Sequence, residues 1–378
     1  MEDIRALELY CGIGGMHFAL KKICPSAKIV AAVDISPNAN KVYAHNFPQV
    51  KLMEKGIEGF SVKMLDKLDF NMVLMSPPCQ PFTRIGLQKD VADPRTKSFL
   101  HFLSVLPKLS KLPKYILLEN VKGFETSEAH KELVKTLNAC KYNQQEFLLS
   151  PRHLGIPNSR LRYFMLAKRD KFHYNLSKQN NQIWESLPIP VSIIPGVQQS
   201  LLELETTENP SEPSAKRAKL ESKEVQNGTE HNQGECDSVE LQTIEAFLEP
   251  NPPEDSFVPS KIIQRYLGVV DIVTKYSTNS TCFTKSYTQY AEGTGSILNM
   301  KNTKSKTHIS SNMEPNIKDF RYFTPTEVAN LMCFPKHLSF PEEISKKQRY
   351  KLLGNSLNVN VVSYLISLLL LVNKEILT

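Results

Sequence analysis

A cysteine flanked by prolines is the part of this sequence best suited to chemistry. Residues 76 to 83 read Ser-Pro-Pro-Cys-Gln-Pro-Phe-Thr and follow the apolar run from Met72 to Met75. Prolines on both sides of Cys79 favour extended backbone and remove donors that a helix or a central strand would need, so the thiol is presented on a loop. A thiol displayed in this way is a candidate nucleophile. The alternative is a buried structural cysteine at a strand end.

A glutamate and two arginines lie where they can act with this cysteine. Glu119 follows the apolar run from Tyr115 to Leu118, and the carboxyl ends of parallel strands share the edge where open α/β sheets bind ligands. A carboxyl group held protonated by burial can donate to a ring nitrogen. Arg160 and Arg162 are two residues apart on a predicted strand, so their side chains point to one face. There they could steady the cysteine loop or bind a phosphate. The alternatives are a loop-capping glutamate and two surface arginines.

A glycine cluster near the N-terminus predicts a cofactor loop. The segment from Glu8 to Gly15 reads Glu-Leu-Tyr-Cys-Gly-Ile-Gly-Gly, so the backbone can approach a ligand at the start of a helix. Asp34 ends the second predicted strand, 20 residues after Gly14, where a carboxylate can bind ribose hydroxyls. The dinucleotide fingerprint needs a third glycine where this chain has His17. We therefore favour a nucleoside cofactor without a pyrophosphate, with S-adenosylmethionine as the first candidate. NAD, which has a pyrophosphate, is the alternative.

Apolar runs that alternate with helical patterns predict the scaffold that positions these residues. The strand-like runs are Ala6 to Tyr10, Ile29 to Val33, Met72 to Met75, Tyr115 to Leu118, Gln145 to Leu149 and Tyr163 to Ala167. Helical patterns follow Ser36-Pro37, recur from Ala129 to Cys140, and begin again at a capping box that Thr324 opens. This alternation predicts an α/β fold with a doubly wound, largely parallel sheet covered on both faces.

The composition changes in the middle of the chain. Residues 203 to 255 hold fourteen acidic and four basic residues, and they carry too little apolar surface to offset their ordering entropy. We predict a disordered insert here, with a basic cluster from Lys216 to Lys219 that is either a nuclear-import signal or a solvated charge run. The predicted domains are a catalytic, donor-binding domain (1–170), a target-recognition domain that contains the insert (171–344), and C-terminal helices that return to the catalytic domain (345–378).

Charge and cysteine usage limit the classes of function. The net charge is +7 although the middle segment is acidic, so the remaining residues favour a polyanionic partner, with solvated lysine faces as the alternative. The seven cysteines form no CxxC pair, so we expect a reducing compartment with no disulfide framework and no metal. Acidic residues stand where a signal sequence would be basic, and the apolar run from Val361 to Val372 is too short to span a membrane.

Five motifs in this order resemble those of the cytosine-5 methyltransferases. They are the glycine loop, Pro-Pro-Cys-Gln around Cys79, Glu-Asn-Val from Glu119, the arginine pair, and Gly-Asn-Ser from Gly354. Cys282-Phe-Thr narrows the likeness to the eukaryotic tRNA (cytosine-5) methyltransferases that act on tRNA-aspartate. The resemblance implies a Rossmann-like, S-adenosylmethionine-dependent fold with a smaller target-recognition domain. We expect no regulatory N-terminal extension, because the catalytic pattern begins by residue 4.

The resemblance also implies a role for each motif. The residues around the methyl donor, whose product is S-adenosylhomocysteine, are Ile13, Gly14, Gly15, Asp34, Ile57, Glu58, Ser76, Asn355 and Ser356. Cys79 attacks carbon 6 of cytosine, and Glu119 hydrogen-bonds ring N3 so that carbon 5 takes the methyl group. We predict that Arg160 activates the thiol and that Arg162 supports its loop. Asn158 stands where the family's pattern usually has glutamine, which leaves the role of that position open.

The substrate that the resemblance implies is an anticodon-loop cytosine, position 38 of tRNA-Asp, with only weak binding of DNA. Unstacked loop bases cost less to flip out than bases in a duplex. The candidate nucleic-acid contacts are Arg84, Arg95, Lys122, Cys282, Phe283, Thr284 and Lys285. A DNA cytosine-5 methyltransferase and a donor-binding scaffold without turnover remain alternatives, because the shared motifs act on base and donor rather than on the sugar. We expect a monomer in the cytoplasm and nucleus that does not bind membranes.

Overall fold

The computed structural model of the protein describes residues 3–78, 96–172, 182–193, 239–266, 268–301 and 317–371. Its central element is a sheet of seven strands. These strands are β1 (Arg5–Leu9), β2 (Lys28–Val33), β3 (Leu52–Met53), β4 (Met72–Met75), β5 (Tyr115–Val121), β6 (Asn143–Leu149) and β7 (Arg162–Lys168). The strand predictions are confirmed, except that β3 carried no signal in the sequence and β5 continues past Leu118.

The strand order β3-β2-β1-β4-β5-β7-β6 is that of a doubly wound fold. Neighbouring strands from β3 to β5 are parallel, and β7 runs antiparallel to both β5 and β6. The order reverses direction between β1 and β4, and open α/β sheets bind ligands at the carboxyl ends of the strands beside such a reversal. The predicted α/β fold class is confirmed, with one antiparallel strand in an otherwise parallel sheet.

Helices cover both faces of the sheet. They are α1 (Gly15–Ile23), α2 (Pro37–Asn46), α3 (Val62–Asp66), α4 (Lys97–Val105), α5 (Glu128–Ala139), α6 (Ser260–Tyr266), α7 (Pro325–Leu331), α8 (Lys346–Gly354) and α9 (Val359–Leu370). One face packs on α1, α2 and α7 to α9, and the other packs on α3 to α5. The predicted start signals are confirmed, because Ser36 caps α2 and a capping box joins Thr324 to Glu327 at the start of α7.

The C-terminal helix α9 returns to the core, as predicted. It is buried along nearly its whole length and packs against α1 and β7. By length and composition, the stretch from Lys346 to Leu370 could span a membrane. However, 83% of its most apolar part is buried inside the protein. Because its apolar surface already has partners within the fold, we interpret α9 as a core helix.

A second, smaller sheet lies within the predicted target-recognition segment. Its strands are β8 (Ile272–Thr274), β9 (Ile297–Asn299) and β10 (Phe320–Tyr322), in the order β10-β9-β8. A small apolar core of its own lies beside it, formed by Val258, Ile263, Val270, Ile297 and Phe320. A separate core is what a second domain needs, although the exact limits of the three predicted domains stay predictions.

The prediction of a disordered insert over residues 203–255 is wrong for its last part. Ile244 and Phe247 are fully buried in the main core, and the backbone N–H of Gln242 donates to the Gly155 carbonyl at 2.9 Å. The composition of the segment is dominated by acidic residues, so its few apolar side chains gave no clear signal in the sequence. Their burial offsets the entropy cost of ordering this part of the chain. Residues 203–238, including the basic cluster from Lys216 to Lys219, lie outside the described residues.

Gly354 offers a test of how tightly the C-terminal return fits. A Cβ atom at this position would overlap the backbone of Thr284 and Lys285, which side-chain movement cannot relieve. We expect Gly354→Ala to lower the free energy of unfolding by about 3 kcal/mol, the upper end for overpacking. Gly268 is the matched control, because nothing lies within 4 Å of its Cβ position. Urea denaturation of both alanine variants measures the difference, and equal stabilities would contradict the packing described.

Candidate active site

The loops after β1 and β2 are joined by the Asp34 carboxylate. Its Oδ2 accepts a hydrogen bond from the backbone N–H of Gly12 at 2.9 Å, and its Oδ1 accepts one from Ser36 at 2.8 Å. Each oxygen keeps a further lone pair, which suits ribose hydroxyls. Tyr10 adopts a φ of 56°, unusual for a residue other than glycine and typical of functional loops. Asp34 therefore joins the two loops that were predicted to hold the cofactor, and their role in binding it stays a prediction.

The glycines of this loop permit close packing. Gly14 has a φ of 86° and a Cβ there would overlap the Phe47 ring. A Cβ on Gly15 would lie 3.0 Å from the Leu357 side chain and 3.2 Å from Ser356 Oγ. The C-terminal return thus places Ser356 at the start of α1, while its predicted contact with the methyl donor stays a prediction.

The end of β4 completes this side of the crevice. Ser76 donates from Oγ to the Tyr10 carbonyl at 3.0 Å, which fixes the loop that leads to Cys79 against the glycine loop. Ile57 is buried in a short helical turn, whereas Glu58 and Asn355 are exposed. These groups fit a nucleoside donor, since a close backbone approach and a carboxylate with free lone pairs meet at one edge. The donor roles of all the residues predicted around the methyl donor stay predictions: Ile13, Gly14, Gly15, Asp34, Ile57, Glu58, Ser76, Asn355 and Ser356.

Glu119 lies within β5, at the same edge of the sheet. Burial raises the pKa of its carboxyl group, although Arg162 and Arg160 lower it, and the net shift is upward. Its Oε1 is 3.5 Å from Arg162 Nε. The next residue, Asn120, donates from Nδ2 to the Pro77 carbonyl at 3.4 Å and so ties β5 to the proline loop. The sequence reasoning assigned no role to Asn120, whose signal is a polar residue in a buried strand.

Cys79, Arg84 and Arg95 lie outside the described residues. The nucleophile and two of the candidate nucleic-acid contacts therefore stay predictions. The described residues place Pro77 and Pro78 directly after Ser76, at the carboxyl edge that Glu119 shares. The segment that leads to Cys79 thus begins at the edge of the sheet that carries Glu119, as the predicted chemistry requires.

Arg160 was predicted to lie on a strand. It lies instead in the loop before β7, which begins at Arg162. Arg160 Nη1 donates to Cys282 Sγ at 3.2 Å and to the Phe283 carbonyl at 3.3 Å. Its Nη2 donates to the carbonyls of Gly354 and Ser356. The buried guanidinium thereby joins the recognition segment to the C-terminal return. Activation of Cys79 by Arg160 stays a prediction.

Cys282 accepts from both arginines, since Arg162 Nη2 is 3.8 Å from its sulfur. Burial raises the pKa of the Cys282 thiol, but the nearby Arg160 and Arg162 outweigh burial and hold that pKa below its ordinary value. Asn158, whose role was open, anchors the same segment by donating to Ser280 Oγ and the Thr281 carbonyl, each at 3.0 Å.

One candidate nucleic-acid contact is wrong. Phe283 is buried and its ring packs edge-on against Tyr287 and Phe323, so it is a core residue. An aromatic residue beside polar ones resembles a surface contact in sequence, but only the fold decides which face it takes. Lys122 and Lys285 are exposed, as nucleic-acid contacts must be.

A buried polar network under the glycine loop was missed by the sequence reasoning. Tyr43 donates from its hydroxyl to Glu8 Oε2 at 2.8 Å and lies 3.0 Å from His17 Nδ1. Burial raises the pKa of Glu8 to about 8 and lowers the pKa of His17 to about 3. The signal was present, because a glutamate in a central parallel strand must find partners. His17, which stands in place of a third glycine, supports the loop from below.

A doubly wound sheet with a glycine loop at the start of its first helix and a carboxylate after its second strand fits the class of S-adenosylmethionine-dependent methyltransferases. The family model described as C-5 cytosine-specific DNA methylase matches residues 4–370. This chain therefore belongs to the C-5 cytosine methyltransferase family, and it is a methyltransferase enzyme. The family implies S-adenosylmethionine as the methyl donor.

Relatives match over nearly the whole chain. A Bos taurus protein named tRNA (cytosine(38)-C(5))-methyltransferase is 47% identical over 390 residues, covering 98% of this chain and 100% of the relative. A Dictyostelium discoideum protein named DNA (cytosine-5)-methyltransferase is 37% identical, covering 99% and 96%. The crystal structure of S. pombe Dnmt2 methyltransferase has a TM-score of 0.73 at 37% identity, covering 97% of this chain and 98% of that one. The likeness is thus to methyltransferases named for RNA and, at lower identity, for DNA.

The Glu8 network predicts a pH-dependent stability difference. The folded state keeps the Glu8 proton up to a pH of about 8, whereas an unfolded glutamate loses it near 4.5. Between these values the folded state binds more protons, so the wild type loses stability as the pH rises, by about 1.4 kcal/mol per unit at most. Because glutamine has no proton to lose, we expect the stability of Glu8→Gln relative to the wild type to increase as the pH rises through this window.

Thermal unfolding measured across the same pH window tests this expectation. Glu132→Gln is the control, because Glu132 is a half-exposed carboxylate on α5 and its replacement leaves the buried network intact. A constant stability difference between wild type and Glu8→Gln from acid to alkaline pH would show that Glu8 does not retain its proton on folding.

Proposed function

We propose that this protein transfers a methyl group from S-adenosylmethionine to carbon 5 of cytosine 38 in tRNA, through a transient bond between the Cys79 sulfur and the cytosine ring. The observation that carries the proposal is 47% identity over nearly the full length to a relative named for methylation of this tRNA position. The narrower substrate is tRNA-aspartate, which rests on the resemblance of Cys282-Phe-Thr to the enzymes that act on it.

The proposed reaction proceeds in balanced steps. The Cys79 thiolate adds to carbon 6, and the proton that Glu119 donates to N3 neutralises the electrons displaced into the ring. Carbon 5 then has enamine character and accepts the methyl group that bound S-adenosylmethionine supplies. A base removes the carbon-5 proton, the carbon 5–carbon 6 double bond re-forms, and the sulfur leaves while Glu119 recovers its proton.

The surroundings of Glu119 support its proposed part in this sequence. A donor to N3 must carry a proton at the start of the reaction, and an exposed glutamate has lost its proton at neutral pH. Burial at the end of β5 raises the pKa of Glu119 despite the two arginines nearby. Arg162, at 3.5 Å, can steady the carboxylate that forms once the proton has been donated.

The choice of RNA rests on the cost of reaching the base as well as on relatives. A cytosine in an anticodon loop is already unstacked, whereas a duplex base must be unpaired at a cost of about a few kcal/mol. The exposed Lys122 and Lys285 are proposed phosphate contacts. Since tRNA occurs in both compartments, we propose that the protein works in the cytoplasm and nucleus.

The substrate proposal is tested with a labelled methyl donor. Purified protein is incubated with tRNA-aspartate, with the same tRNA carrying uracil at position 38, and with duplex DNA. Label in the first substrate alone supports the proposal. Label in DNA alone supports the activity for which the Dictyostelium discoideum relative is named.

The cysteine adduct gives a sharper prediction. We expect Cys79→Ala to lose methyl transfer completely while its affinity for S-adenosylmethionine stays within about twofold of wild type, because the thiol bonds the base and not the donor. A tRNA with 5-fluorocytosine at position 38 should trap the wild-type adduct on a denaturing gel, since fluorine cannot leave as a proton does. Cys140→Ala, a buried cysteine after α5, is the control and should trap normally. A trapped adduct in Cys79→Ala would overturn the assignment.

A further inference from the structure

Four ionisable groups meet where the recognition segment touches the main sheet. Arg160 Nη1 is 3.2 Å from Cys282 Sγ, and Arg162 Nη2 is 3.8 Å from it. Arg162 Nε is 3.5 Å from Glu119 Oε1. These groups come from the loop before β7, from β7 itself, from β5 and from the recognition segment. The two arginines lower the pKa of both Glu119 and Cys282, while Glu119 and Cys282 in turn raise the pKa of Arg160.

The charges of this cluster must balance because it is buried. Arg160 is only 5% exposed, and the Arg162 side chain is 19% exposed. Two guanidinium cations out of water need an anion nearby, since an unpaired buried charge costs several kcal/mol. Glu119 can be that anion, but the proposed reaction requires it to be protonated. The remaining candidate is the Cys282 sulfur.

We propose that the Cys282 sulfur is a thiolate held between Arg160 and Arg162, and that this charge allows Glu119 to stay protonated before it meets the cytosine. Cys282 is thus a positioning residue for the reaction, one that acts through the two arginines on Glu119. This inference rests on the proposed function, because a neutral Glu119 matters only if it donates to the base.

The surroundings of the sulfur suit an anion. Two guanidinium N–H groups donate to it, at 3.2 and 3.8 Å, whereas among the described residues one acceptor for a thiol proton is in reach, the Phe283 carbonyl at 3.8 Å. A sulfur that faces donors is stabilised as thiolate rather than as thiol. The arginines lower the pKa of the Cys282 thiol against the opposing effect of burial, and the pKa of Glu119 is raised although the same arginines face it.

The backbone holds the sulfur in place. Ser159 donates from its backbone N–H to the Ser280 carbonyl at 2.8 Å, and Asn158 donates to Thr281 at 3.0 Å. The segment that carries Cys282 is therefore fixed on the loop that carries Arg160. A charge anchored on both sides can set the protonation of its neighbour without moving during turnover.

The test is the pH dependence of kcat for tRNA methylation in Cys282→Ser, Cys282→Ala and Cys282→Asp. Serine and alanine remove the anion, so the arginines act on Glu119 alone and lower its pKa. We expect the alkaline limb of the kcat profile to move to lower pH by about one unit, a tenfold loss at alkaline pH. Aspartate supplies a carboxylate between the arginines and should restore the wild-type limb. A merely structural role would change stability or KM but not the position of this limb.

Matched measurements separate the possible failures. Cys333→Ser, at a half-buried cysteine outside the cluster, should keep the wild-type profile. Affinity for S-adenosylmethionine shows whether each variant is folded. If serine and alanine variants do not fold, the ¹³Cβ chemical shift of labelled Cys282 in the wild type still reports thiol or thiolate, and a thiol at neutral pH overturns the proposal. An unshifted limb in Cys282→Ser also overturns it. Failure of the wild type to form the trapped cytosine adduct refutes the proposed function instead.

Discussion

The guanidinium of Arg160 is the interaction on which the arrangement of this site depends. It is buried, and its two terminal nitrogens donate to four acceptors on two segments, around Cys282 and around Ser356. A charge out of water is tolerated only where such acceptors surround it. Arg160 is therefore satisfied only when the recognition segment and the C-terminal return are both docked. Its Nε finds no acceptor among the described residues, which leaves part of the desolvation cost unmet.

Close backbone packing strengthens the same junction. Gly354 has no room for a side chain beside Thr284, and Gly15 meets Ser356 and Leu357. These two contacts run from the recognition segment through the C-terminal return to the glycine loop. The glycine loop and the recognition segment are thus connected through packed atoms of the C-terminal return. We interpret this continuity as the means by which motifs at both ends of the chain act at one edge of the sheet.

Burial raises the pKa of two carboxyl groups in this protein, Glu8 and Glu119, and the two groups face different surroundings. Glu8 accepts a hydrogen bond from the Tyr43 hydroxyl, which also contacts His17. This buried network, in which the pKa of Glu8 is raised, lies beneath the glycine loop and supports it. Glu119 lies at the carboxyl edge of the sheet beside the Arg162 cation, where the proposed reaction needs a group that donates a proton and recovers it. Burial is the common cause of the raised pKa, and the difference in role follows from what each group faces. Desolvation therefore supports the glycine loop at Glu8 and, under the proposed function, the chemistry at Glu119.

Local sequence signals determined much of the architecture. Apolar runs located six of the seven strands in the main sheet, and serine and threonine caps located helix starts, because side-chain period and capping depend only on near neighbours. Glycines and Asp34 at predicted strand ends located the cofactor loop for the same reason. The positions of Asp34, Ser76 and Glu119 at one edge followed from the rule that parallel strands share their carboxyl ends.

Only the tertiary structure decided the partners of the polar groups and the faces of ambiguous residues. Arg160 reaches Cys282 across 122 positions of sequence and Gly354 across 194, and no local pattern encodes such pairs. The burial of Phe283, the ordering of residues 239 to 255 and the network around Glu8 depend likewise on distant side chains that exclude water. Local conformation is set by each segment's own residues, whereas burial and charge pairing are set by whatever the fold brings to face them.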